Sequence, residues 1–171
     1  MFKEVDKMLL TPKRVAILAS LLVLTSCGLQ TVRYTNVAEY PNRYNNFDYK
    51  YAWKSATTDH GVVIDGVMKN VRYPNISSLE LTVYVLGKDE RIVAKETTFP
   101  MPQQARENDV SHFSLLLRDI KPAPGDIYQF HVHYTGGEGG NNDGVDWISN
   151  FKADALTGAV IRPPSKNPDE W

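Results

Sequence analysis

In the run DIYQFHVHYT, His131 and His133 stand two residues apart, so on an extended chain their imidazoles share one face, opposite Phe130 and Val132. Two histidines so placed can begin a zinc site, with His60 and His112 as candidate ligands from neighbouring strands. No cysteine and no placed carboxylate completes the set. The pattern therefore fits a solvent-facing pair better than a metal centre, and no metal is expected there. Nucleophilic catalysis finds still less support. Serines, histidines and aspartates are scattered through the chain, but none forms a Gly-x-Ser-x-Gly elbow and no nucleophile adjoins a base. A general acid needs an apolar pocket, and only Asp65, in VVIDGV, is embedded in an apolar run. Asp65 reads most simply as the outward residue of its strand or a turn former before Gly66. No catalytic residue is expected, and no cofactor.

A second group of oxygen donors lies in TGGEGGNNDGVDW, Thr135 to Trp147. Glu138, Asn141, Asp143 and Asp146 are weak calcium candidates, since calcium takes six to eight such ligands. The Gly-Gly-x-Gly fragment resembles the calcium-binding nonapeptide repeat, but it occurs once where that architecture stacks copies. A hairpin whose glycines permit positive φ is the simpler reading. Tyr34, Tyr40 and Tyr44, among asparagines, offer aromatic faces for a saccharide, but aromatics folded back onto a domain edge are the commoner outcome.

Cys27 is the only cysteine in 171 residues, so no internal disulfide is possible. Lys13 and Arg14 precede the uncharged run Val15 to Leu24, the layout of an export signal and too short for a membrane span. Either Met1 or Met8 suits the start. Leu24-Thr25-Ser26-Cys27 resembles the lipobox of bacterial lipoproteins. That resemblance implies diacylation of the Cys27 thiol, cleavage before it, and a domain tied to a membrane by two or three acyl chains, where one would hold it only marginally. Gly28, in place of aspartate, is similar to cargo sent to the outer membrane, facing the periplasm or the surface. Residues 27–171 carry 15 basic and 18 acidic side chains, net −3, so no electrostatic footprint of a nucleic-acid binder is present.

The elements that position these residues are strands. Phe47, Tyr49, Tyr51 and Trp53 alternate with polar residues and are expected on one face of a first strand. GVVIDGVMKNV, LELTVYVLG, RIVAKETTF, HFSLLLRDI, DIYQFHVHYT and GVDWISNFKA supply six more, separated by Pro and Gly clusters. Seven short strands without a helical period predict an all-β chain, a single immunoglobulin-like antiparallel β-sandwich. From Gly61 to Tyr134 the layout is similar to FxLYD-type envelope sandwich domains, although Leu116-Leu117 stands where that family has Tyr-Asp. The expected organisation is a signal peptide over 1–26, a lipidated tether over 27–45, the sandwich over 46–155 and a Pro-rich tail over 156–171. Two functions fit it: a non-catalytic lipoprotein whose sandwich binds another envelope protein by strand edges or end loops, or a saccharide- or calcium-binding surface module.

Overall fold

Alternating apolar residues leave each strand with one face to bury, and two sheets satisfy both by packing face to face. The computed structural model describes residues 36–137 and 144–162. After a short 3-10 turn, Val37–Glu39, come β1 (Asn42–Asn45), β2 (Tyr49–Thr58), β3 (Gly61–Asn70), β4 (Asn75–Leu86) and β5 (Ile92–Thr98). They are followed by β6 (Val110–Arg118), β7 (Ile127–Gly137), β8 (Val145–Asp154) and β9 (Val160–Ile161). One sheet has the order β1-β2-β3-β6 and the other β5-β4-β7-β8-β9, with every pairing antiparallel. The fold is the expected β-sandwich. All seven expected strands are present. The two additional ones, β1 and β9, are edge pieces of four and two residues, too short to show a period. They fall within residues read as tether and tail. Among the described residues no helix is long and apolar enough to cross a membrane.

The inner faces are those the alternation selects. Tyr49, Tyr51 and Trp53 of β2 face Tyr128, Phe130, Val132 and Tyr134 of β7, and all are buried. Leu79, Leu81, Val83 and Val85 of β4 and Phe113, Leu115 and Leu117 of β6 complete the core. Trp53 packs 5.2 Å from Phe130, whose ring lies 4.5 Å from Phe151 and nearly parallel to it. Phe47 departs from expectation. It lies before β2, in the turn after β1, and is 78% exposed. The Asn46 side chain accepts from the N–H groups of Asp48 and Tyr49, and this turn chemistry keeps Phe47 out of the strand.

Buried polar groups fasten the ends. Asn70 is fully buried at the end of β3; its amide donates to the Arg72 and Ala105 carbonyls and its oxygen accepts from the Arg72 N–H. Gly66 faces inward at mid-strand, with the Phe113 ring over its Cα position. An added Cβ would collide with that ring and come within 2.6 Å of the Ala52 carbonyl oxygen. Gly66→Ala is therefore expected to cost about 2 kcal/mol, because the neighbouring strand backbone must move. A denaturant midpoint unchanged from wild type would refute this close approach.

Candidate functional site

Strand β8 owes its position to β7, with which it pairs without a break from Val145 opposite Gly136 to Asp154 opposite Ile127. On its other side, among the described residues, it meets only β9, at Lys152 and Ala153. A turn sets that junction. Asp154 accepts from the Thr157 N–H and hydroxyl and from the Leu156 N–H, contacts that hold its carboxyl below the usual range. The chain then enters β9, which stops at Ile161, with Arg162 between it and Pro163-Pro164 in the sequence. Neither proline has an N–H to continue a ladder.

Beyond that stop, among the described residues, Val145 to Phe151 has an open edge. Asp154 donates its N–H to the Ala159 carbonyl and accepts from the Gly158 N–H, so its backbone groups point away from β7. Alternate residues of a strand point the same way. The N–H and C=O groups of Asp146, Ile148 and Asn150 are thus directed at the open edge, and among the described residues no strand pairs with them. The same stretch exposes Val145 by 60%, Trp147 by 41% and Ile148 by 62%.

Two features flank the edge. Near Phe151 an open groove of about 560 Å³ runs between Tyr44, Phe151 and Ile161, rimmed by Asn150, Lys152 and Arg162. Its floor is formed by Tyr44 stacked on Phe151 at 4.4 Å. Near Trp147 the Arg72 guanidinium lies 4.2 Å from the Phe47 ring centre and 5.3 Å from that of Trp147, with Asp48 3.4 Å away. Tyr73 beside it is 78% exposed. An aromatic and cationic end, an unpaired backbone and an apolar groove follow one another along one strand. Chemically, this arrangement can add an extended peptide strand and grip alternate side chains.

The residues singled out from sequence are dispersed. His131 and His133 do share the outer face of β7, but each is engaged by β8: His131 Nδ1 lies 2.7 Å from Asn150 Oδ1, and His133 Nε2 lies 3.8 Å from Asp146 Oδ1. His60 sits in the β2–β3 turn and His112 on β6, in the other sheet, so neither joins them. Among the described residues no cluster of three or more His, Cys, Asp or Glu could hold a metal. Asp146 accepts from the Thr135 hydroxyl at 2.7 Å, whereas Glu138, Asn141 and Asp143 lie outside the described residues. Asp65 is an outward mid-strand residue that accepts a 2.6 Å bond from the Ser114 hydroxyl. Tyr44 packs onto the core, and Tyr40 lies under the Lys54 ammonium at 5.7 Å. Tyr34 and Cys27 lie outside the described residues.

Sequence reasoning missed Phe47, Arg72 and the open edge. A partial signal for the last was available: Pro163-Pro164, shortly after the final β-like residues, has no N–H to extend a ladder along β8. No protein-family model matches the chain, and no match is found among curated proteins.

Proposed function

We propose that this chain is a non-catalytic bacterial lipoprotein, anchored at the outer membrane through Cys27, whose sandwich mediates protein–protein interaction or assembly in the envelope. The open edge of β8 is the observation that carries the interaction part. An unpaired strand with exposed Val145, Trp147 and Ile148 is what soluble sandwiches normally cover or blunt with lysine, proline or a bulge. Between Val145 and Phe151 it has no lysine, proline or bulge, and among the described residues nothing pairs with it. Lipid anchoring rests on the Leu24-Thr25-Ser26-Cys27 motif and supplies the setting. A saccharide-binding module is the second reading, favoured by the exposed faces of Phe47, Tyr73 and Trp147 around Arg72.

In the full chain, in cells, a photo-crosslinking residue at Ile148 is expected to give a discrete protein adduct, and one at the exposed Glu90 none. Ile148→Pro should abolish adducts formed from Asn150 while leaving the β-sheet signal intact, because the Ile148 N–H takes no part in the β7–β8 ladder. Absence of any discrete adduct at Ile148 would sink the strand-edge reading.

A further inference from the structure

We propose that the occupant of the β8 edge is a second copy of this chain, its β8 running antiparallel about a two-fold axis at Ile148. The inference rests on the strand-edge reading and names its partner.

The geometry of the edge singles out this arrangement. Among the described residues the free span is bounded by β9, which occupies Lys152, and by Gly144 at φ +80°, where the strand ends. Ile148 is the midpoint of what remains, Val145 to Phe151. Two identical strands that pair along the whole span must therefore set Ile148 opposite Ile148, Trp147 opposite Ser149, Asp146 opposite Asn150 and Val145 opposite Phe151. In that register the edge-directed backbone groups of Asp146, Ile148 and Asn150 meet one another, and every one gains a partner. A register displaced by one residue would set these groups against backbone already bonded to β7.

The side chains agree with the register. On the outer face two Ile148 side chains, each 62% exposed in the single copy, cover one another. Beside them the Asp146 carboxylate faces the Asn150 amide, with the Lys152 ammonium on the diagonal, an opposite-charge contact made twice by symmetry. On the inner face Val145, 60% exposed, is brought to Phe151 at the mouth of the groove. No like charges oppose each other. The contact is isologous and closes at two copies, leaving no free β8 edge to propagate. It joins two five-stranded sheets into one.

The test uses self-crosslinking of single cysteines in the full chain with Cys27→Ala. Ile148 would face itself in a hydrogen-bonded pair, where Cα atoms lie about 5.5 Å apart, within the range a disulfide spans. Ile148→Cys is exposed and away from the core, so mild oxidation should convert the monomer to a linked dimer. Asn150→Cys alone should stay monomeric, because its copies would be about 13 Å apart. Mixed with Asp146→Cys it should link as a heterodimer. The proposal is overturned if Ile148→Cys links no better than Glu90→Cys, or if Asn150→Cys links to itself more readily than Ile148→Cys does. A photo-adduct at Ile148 to a different protein, with no self-adduct, also overturns it while leaving the strand-edge reading standing. Absence of every adduct removes both.

Discussion

Raising the pH above 10 is expected to unfold the domain cooperatively, with loss of the β-sheet signal coinciding with ionisation of its four buried tyrosines. Tyr49, Tyr51, Tyr128 and Tyr134 are all buried in the core. Burial itself is the main force holding each phenol protonated. For Tyr49 the neighbouring Tyr51 and Tyr134 and the Asp48 carboxylate add to it. Asp48 does the same for Tyr134, partly offset by Arg72, and Tyr128 is pushed up to about 12 despite a bond with Ser55. Ser149 and Asn46 lie beside Tyr51 and temper its shift. They bond to each other at 2.6 Å, however, which leaves the Tyr51 hydroxyl without a hydrogen-bond partner among the described residues.

The direction follows from proton counting. Below pH 10 both folded and unfolded chains keep these phenols protonated. Above it the unfolded chain releases protons that the folded core retains, so stability falls from about pH 10 up to the folded values. Each tyrosine contributes roughly 1 kcal/mol over the first pH unit above 10, and four together reach about 4 kcal/mol, close to the whole stability of a marginal domain. Tyr49→Phe should move the transition upward at little cost near neutrality, since the Tyr49 hydroxyl is buried without a partner. A sheet signal unchanged through pH 12 would refute the account.

Substituting Cys27 is expected to change location rather than stability. The wild-type chain, extracted from membranes, should have the mass of residues 27–171 plus acyl groups. Cys27→Ala should retain residues 1–26 or be released from the membrane, with the sandwich melting unchanged. The expected loss of acyl anchoring is complete, because two or three chains hold a soluble domain firmly and no other attachment is proposed. A wild-type mass that includes residues 1–26 and no acyl group would refute the lipid anchor.

How legible the fold was depended on strand length. In β2, β4, β6 and β7 the apolar residues recur at every second position, and the side chains they select are the buried ones. Period two follows from the pleat and needs no knowledge of neighbours. It failed at Phe47, where the Asn46 side chain captures two backbone N–H groups and makes a turn inside an unbroken alternation. It was silent for β1 and β9, which are too short to alternate. Period two also placed His131 and His133 on one face, yet said nothing of Asn150 and Asp146 opposite them, because cross-strand partners depend on register.

The candidate site was mostly illegible for the same reason. From the residues alone came an all-β chain, its inward faces, a lipobox-like cysteine and a terminal proline pair. Which strands become neighbours, how Arg72 comes to lie between Phe47 and Trp147, and that seven residues of β8 have no partner strand among the described residues were decided only in three dimensions. Alternation is local and reports one strand's two faces. An edge is defined by which strand is missing beside it, and that is a property of the whole sheet.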